Sequence, residues 1–308
     1  ITAYDKVTQQ LYVINGNANT IVVYDFSNPS INPIPTVTSI VIAGSGSINS
    51  IACYNGLLAA VYENQANRQN NGFVQLYTTT GNTMIGAPIE VGAQPDMIIF
   101  TPQGDKLLVA NEGEPNNDYT QDPEGSVSII DVTNPTAPTV QNVSLTSLNG
   151  SIPHLSTQPT QMPTIRIFGM KNSLSVTDPL FAADNVKTPS TVAEDLEPEY
   201  ITISPDGNTA WVSCQENNAI LVINIPSASV TTIFGLGYKD HNLAGNGMDI
   251  SRTPTNTNAV SIRTWPLKGM YQPDGLSVVS IGGIPYIFSA NEGDARAWRG
   301  LNEELDVN

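Results

Sequence analysis

Residues 95–113 read PDMIIFTPQGDKLLVANEG, and the class of fold can be inferred from this stretch. Two runs of apolar and β-branched residues flank a turn, in which Pro102 fixes φ and Gly104 supplies the positive-φ position. No 3.6-residue apolar period runs through it, so we predict a β-hairpin. The pattern returns at 198–216 as PEYITISPDGNTAWVSCQE and at 273–293 as PDGLSVVSIGGIPYIFSANEG. A hairpin that recurs along one chain indicates a repeat architecture.

Further short strands lie on either side of these hairpins, and each repeat unit holds four strands. The second strands of the units end at Asn15, Tyr62, Asn111, Gln215 and Asn291. The first two intervals are about 50 residues long, which is typical of a β-propeller blade. We therefore predict an all-β fold, a single β-propeller domain over residues 1–308 with four complete four-stranded blades and the start of a fifth. Because the fifth blade lacks its outer strands, we expect a larger ring and a longer polypeptide.

The two remaining intervals are longer and indicate insertions, at about 146–197 and 235–272. Both are rich in Pro, Gly, Asn and Ser, which favours loops. The alternative for the first insertion is a degenerate extra blade, in which Thr164–Phe168 is the one convincing strand.

The charge balance excludes several classes of function. The chain has 12 Lys and Arg against 28 Asp and Glu, a formal net charge of -16. A nucleic-acid partner is not expected, because such binding requires cations that neutralise phosphates. The sequence has no apolar run long enough to span a membrane. Divalent cations are the natural partners of such a chain, and an acidic surface that merely maintains solubility is the alternative.

Common catalytic and zinc motifs are absent from the sequence, which has no GxSxG, Walker or HExxH pattern. Cys53 and Cys214 fit no zinc spacing, and we expect buried free thiols. His154 and His241 are too few and too far apart for a zinc site, and we expect both in solvated loops.

Carboxylates recur at two positions of the repeat, directly after a proline at the start of the innermost strand and just past the end of the second strand. These residues are Asp96, Glu199 and Asp274 at the strand starts, and Glu112, Glu216, Glu292 and Asp294 after the second strands. Innermost strands line the axis of a propeller, so we expect the two sets to approach one another around a common opening or in clefts between blades. Clustered carboxylates repel, and calcium, which takes six to eight oxygen ligands, would relieve the repulsion.

The loop from Asn111 to Glu124 is the densest run of oxygen donors. It holds five carboxylates within 14 residues and no Lys or Arg. We predict at least one calcium ion there, with these ligands: Glu112, Asp118, Asp122 and Glu124. The alternative is that each carboxylate accepts hydrogen bonds from backbone amides of a neighbouring blade and only ties the blades together.

Several short motifs stand out in the sequence: Ala110–Pro115, Asp122–Ser126, Asp195–Tyr200, Gln215–Ala219, Gly245–Gly247, Gly269–Asp274 and Ala290–Arg296. They resemble motifs of the bacterial choice-of-anchor I family. The resemblance runs essentially from end to end. That family is similar to the mesenchyme-specific cell-surface glycoprotein of sea-urchin skeleton-forming cells and, more remotely, to phytase-like propellers. The resemblance implies a secreted or surface-anchored propeller, and it carries no catalytic residue over to this chain.

Two functions stay open at this point. The first is a non-enzymatic, calcium-binding protein, secreted or at the cell surface, that serves adhesion, matrix or mineral handling. The alternative is a calcium-dependent phosphoesterase of the phytase or alkaline-phosphatase kind that uses the carboxylates at the strand starts and after the second strands, which together form an acidic rim. Arg296 and Arg299 would hold phosphate there, although ordinary salt bridges explain them as well. Many carboxylates and few basic residues favour binding, with phosphate-containing or surface-polymer ligands as further partners.

Overall fold

A computed structural model of the protein describes residues 1–117, 119–152, 165–168, 190–250 and 260–298, and the backbone of a short strand at 301–302. Over these residues β-strands dominate, and helix is limited to a 3₁₀ turn at Thr146–Leu148 and to α1 at Val192–Asp195. No described helix is both long enough and apolar enough to cross a bilayer. The all-β prediction is confirmed.

Within the described residues, four antiparallel sheets have four strands each, and in each sheet consecutive strands are neighbours. Blade one comprises β1 (Thr2–Asp5), β2 (Gln10–Asn15), β3 (Thr20–Asp25) and β4 (Thr36–Ile40). Blade two comprises β5 (Ser45–Tyr54), β6 (Leu57–Asn64), β7 (Asn71–Thr78) and β8 (Met84–Ala93). Blade three comprises β9 (Pro95–Phe100), β10 (Lys106–Asn111), β11 (Ser126–Asp131) and β12 (Thr139–Ser144). Blade four comprises β13 (Pro198–Ile203), β14 (Thr209–Cys214), β15 (Ala219–Asn224) and β16 (Ser229–Gly235). The predicted propeller blades are confirmed.

The remaining described strands follow blade four in three short pairs. They are β17 (Tyr238–Asp240) with β18 (Lys268–Met270), β19 (Pro273–Ile281) with β20 (Ile284–Asn291), and β21 (Ala297–Trp298) with β22 (Leu301–Asn302). The β19–β20 pair is the predicted start of blade five. Residues 165–168, the described part of the proposed extra strand, are not a strand, and Thr164 lies outside the described residues.

Apolar layers between neighbouring blades form the core. Successive side chains of a strand point to opposite faces of its sheet. In β10, Leu107 and Val109 therefore pack with apolar residues of blade two, while Leu108 and Ala110 pack with those of blade four. A strand that is buried on both faces explains the unbroken apolar run at 107–110.

Blade five is covered on one face. Ile287 packs with Leu276 and with Trp211 of blade four. On the opposite face of β20, Tyr286 and Phe288 are 46% and 62% exposed. One face of this blade is therefore packed against blade four, and the other is exposed to solvent.

Cysteine and histidine positions test two smaller predictions. Cys53 and Cys214 are free thiols, as expected, and Cys214 is buried whereas Cys53 is half-buried. His241 is only 9% exposed, and its Nδ1 lies 2.6 Å from the carbonyl oxygen of Asn246. The prediction of a solvated histidine is wrong there, because the β17–β18 hairpin encloses the ring. His154 lies outside the described residues.

Candidate functional site

Asp96, Glu199 and Asp274 occupy equivalent places, as the second residue of the first strand in blades three, four and five. The prolines before them pair with the end of the second strand: Pro95 with Asn111, Pro198 with Cys214, and Pro273 with Asn291. In all three blades the register shifts directly after that pair. Such a bulge re-aims the side chain that it contains. The repeated proline–acid step is therefore a repeated structural unit.

The residue before the proline joins the two sets of carboxylates that the sequence predicted. Gln94 lies at φ 46°, and its carbonyl oxygen accepts a hydrogen bond from the amide of Glu112 at 3.0 Å. Its Nε2 donates to Glu114 Oε2 at 2.5 Å. Gln272 lies at φ 41° and donates in the same way to the carbonyl oxygen of Asp294. In blades three and five the acidic segment after the second strand is thus bound to the residue that precedes the first strand.

A pocket of about 160 Å³ opens where these segments meet, and we call it the acidic pocket. It is lined by Glu114, Glu197, Glu216, Asp294, Ala295, Arg296, Ala297 and Trp298. Glu216 and Asp294 are among the candidates that the sequence analysis named. Glu197 is a lining residue that it missed, although Glu197 precedes Pro198 as Gln94 and Gln272 precede their prolines.

The carboxylates of the acidic pocket are destabilised in their charged form. Burial raises the pKa of Glu197 well above its usual range, and repulsion by Glu216 and Glu114 adds to this, although Arg296 opposes it. Burial also raises the pKa of Glu216 and of Glu114, against the opposing effects of Arg296 and Arg68 respectively. Each group therefore resists ionisation unless a cation compensates for it.

The carboxylates at the strand starts interact electrostatically with those that line this pocket. Burial raises the pKa of Asp96 to about 6, and repulsion by Asp274 and Glu114 contributes. Burial likewise raises the pKa of Glu199 to about 9, with repulsion from Glu216 and Asp274. Burial raises the pKa of Glu112 well above its usual range, and Asp96 adds to it. Members of the two sets therefore repel one another electrostatically, and the common opening expected for them stays a prediction.

The guanidinium in the acidic pocket forms ion pairs with two carboxylates. Arg296 Nη1 lies 3.2 Å from Asp195 Oδ1, and Arg296 Nη2 lies 2.9 Å from Glu197 Oε1. Nη2 also donates to the carbonyl oxygen of Asp195 at 2.6 Å, and the guanidinium lies over the ring of Phe168, 4.6 Å from its centre. Arg299 lies outside the described residues.

The carboxylates of the loop from 111 to 124 do not all lie at one site. Glu112 and Glu114 interact with the acidic pocket, whereas Glu124 lines a separate pocket of about 230 Å³ between blades two and three. Both carboxylate oxygens of Asp122 are buried, and Asp118 lies outside the described residues. Glu292 is exposed and does not line the acidic pocket. The calcium site predicted for this loop stays a prediction.

The fold and this site define a β-propeller with an acidic pocket at the ends of its second strands. The chain belongs to the choice-of-anchor I family, because the family model described as the choice-of-anchor I domain matches residues 1–307. Membership indicates a surface β-propeller. No curated protein matches the chain significantly.

Solved structures with a similar fold include a functionally unknown protein from Desulfotomaculum acetoxidans, at 13% identity and a TM-score of 0.46. A protein from Lactobacillus plantarum matches at 14% identity and a TM-score of 0.47, and the Dos1 propeller at 12% and 0.47. These alignments cover 76%, 76% and 77% of this chain, and 55%, 56% and 48% of the respective structures. At such identities the likeness concerns the fold alone.

Proposed function

We propose that this chain is a calcium-binding β-propeller of the bacterial cell surface that serves adhesion, matrix or mineral handling, and that the acidic pocket is its cation site. The observation that carries the proposal is the convergence of three consecutive blades on one pocket. Glu114 follows the second strand of blade three, Glu216 that of blade four and Asp294 that of blade five.

A divalent cation suits this pocket for an electrostatic reason. Four carboxylates line it against one guanidinium, and that guanidinium is paired within the protein. At neutral pH the carboxylates must either retain protons or share a counter-ion. Calcium is a hard cation that accepts carboxylate and carbonyl oxygens together, so it matches the donor set.

An amide oxygen beside the pocket supports the same ligand. Gln94 is 1% exposed, and its Oε1 accepts no hydrogen bond from the residues that the structure describes. The nitrogen of the same amide donates to Glu114, so the end of this side chain reaches the lining of the pocket. An uncompensated buried oxygen is costly, and coordination to a cation would compensate for it.

Binding would require side-chain movement. Among the described residues, no three carboxylate, imidazole or thiol groups lie close enough together to hold a metal ion as they stand. Glu114 and Glu216 are half-buried and Asp294 is exposed, so their carboxylates have room to turn toward a shared ion. Mutually repelling groups are expected to separate when no cation holds them together.

Calorimetric titration of the chelator-treated protein with calcium tests the proposal. We expect wild-type protein to bind, and Glu216→Gln and Asp294→Asn to bind at least tenfold more weakly. Glu90→Gln is a matched control, because this substitution removes the same charge from an exposed carboxylate of β8. An absence of calcium binding by wild-type protein, or equal losses in Glu90→Gln and Glu216→Gln, would contradict the proposal.

The phosphoesterase alternative has less support from the site. Phosphate would need a basic group that is available to it, and Arg296, the one basic side chain that lines the pocket among the described residues, is paired with Asp195 and Glu197. A phosphatase assay with and without chelator distinguishes the two functions. Chelator-sensitive hydrolysis that Glu216→Gln abolishes would favour the enzyme.

A further inference from the structure

We propose that Arg68 is an internal competitor for the cation of the acidic pocket, so that calcium displaces this guanidinium from Glu114 and Arg68 sets the affinity. This inference rests on the proposed function. It assigns control of the calcium affinity to Arg68, a residue of blade two that does not itself line the pocket.

The geometry places Arg68 on the carboxylate that the ion would use. Arg68 Nη2 lies 2.7 Å from Glu114 Oε2 and 3.5 Å from Glu63 Oε1. The same Oε2 accepts the hydrogen bond from Gln94 Nε2 at 2.5 Å. Two donors therefore converge on one oxygen of Glu114, and a cation that binds through this oxygen replaces the charged donor.

The loop between β6 and β7 holds Arg68 in this position. Asn64 Nδ2 donates to the carbonyl oxygen of Asn71 at 3.0 Å, which joins the two ends of the loop. Asn67 Nδ2 donates to Gln121 Oε1 at 2.8 Å, which binds the loop to the 111–124 loop of blade three. These two hydrogen bonds hold the loop in the position in which Arg68 lies beside Glu114.

Exposure distinguishes Arg68 from the other guanidinium at the site. The side chain of Arg68 is 45% exposed, whereas that of Arg296 is 1% exposed. An exposed ion pair contributes little to stability, because water and salt replace the partner when it leaves. Arg68 is thus able to rotate into solvent, while Arg296 is an internal ion that remains in place.

The expected effect follows from the charge of the two competitors. A guanidinium near the ion repels it and also occupies an oxygen that the ion needs. Because calcium must break the exposed ion pair between Arg68 and Glu114, removal of the guanidinium is expected to tighten calcium binding by up to about fivefold. Arg68→Lys keeps the positive charge, so it should change the calcium affinity much less.

Calorimetric titration with calcium is the test, and it compares wild-type protein with Arg68→Gln, Arg68→Lys and Arg263→Gln. Arg263 lies over the ring of Trp265 at 4.0 Å, in the insertion after blade four, so Arg263→Gln makes the same change in net charge elsewhere. We expect tighter binding in Arg68→Gln and near wild-type affinity in the other two variants. Circular dichroism confirms that each variant is folded, and Arg68→Ala, which removes the same charge, replaces Arg68→Gln should that variant fail to fold.

Each outcome separates this inference from the proposed function. Equal affinities of wild-type protein and Arg68→Gln would overturn the role of Arg68 and leave the calcium site intact. An equal gain in Arg68→Gln and Arg263→Gln would overturn it too, because net charge alone would then explain the change. Binding by none of the proteins would overturn the proposed function and this inference together.

Discussion

Arg296 and Glu197 form an ion pair, 2.9 Å between Nη2 and Oε1, in which both side chains are almost completely buried. Asp195 completes the arrangement from the end of α1. The pair joins the segment after the second strand of blade five to the residue that precedes β13 of blade four. A buried charge is tolerated when a partner compensates for it, so the two segments depend on one another.

Arg296→Met is therefore expected to lower the free energy of unfolding by about 3–5 kcal/mol, because Asp195 and Glu197 would lose their buried partner. Urea unfolding at neutral pH measures the loss. Arg263→Met, at an arginine that stacks on Trp265, is expected to cost much less. Equal unfolding midpoints for the two variants would show that the buried pair adds nothing to stability.

The calcium-free protein is expected to lose stability as pH rises from about 5 to 9. The pKa of Glu199 is raised from 4.5 in the unfolded chain to about 9, and that of Asp96 from 3.8 to about 6. Between these values the folded state binds more protons than the unfolded state, so the free energy of unfolding falls with increasing pH. The contribution is complete below the unfolded pKa and is lost as pH passes through the folded pKa.

Urea unfolding in chelator at pH 5 and pH 8 measures this dependence, and Glu199→Gln is the variant that isolates it. We expect a smaller difference between the two pH values in Glu199→Gln than in wild-type protein. A dependence of unchanged size in the variant would argue against a raised pKa at Glu199.

Calcium is expected to raise the thermal midpoint, because a ligand that binds only the folded state stabilises it. The gain is about 2.7 kcal/mol at a hundred times the dissociation constant. Glu216→Gln should reduce the shift, whereas Glu124→Gln should leave it unchanged, since Glu124 lines the separate pocket. The reverse result would locate the ion in the 111–124 loop, as the sequence pattern predicts.

Gly125→Ala is expected to destabilise the fold by about 1–3 kcal/mol. A Cβ at Gly125 would overlap the carbonyl oxygen of Leu196 and approach Pro198 Cδ to 2.6 Å, and backbone there cannot yield easily. Gly16→Ala is the control, because a Cβ there would meet nothing within 4 Å. Thermal unfolding of both variants is the measurement, and similar midpoints would refute the close approach.

The blades could be predicted from the sequence because their signals are local. The short apolar run at 107–110 and the turns at 101–104 and 204–207 depend on neighbours in the chain alone. The proline–acid step placed Asp96, Glu199 and Asp274 correctly for the same reason. For blade four the predicted end of the second strand is one residue late, since β14 ends at Cys214 and Gln215 follows it.

The membership of the acidic pocket could not be predicted, because it depends on how separate blades and loops are placed in space. Arg296 meets Asp195 across 101 residues, and Arg68 meets Glu114 from another blade. Loop side chains have no period that reveals their direction, so Glu114 and Glu124 look alike in sequence yet line different pockets. The strands follow from short apolar runs and turns that are local in the chain, whereas the grouping of charges in the acidic pocket follows from the packing of the blades around one another.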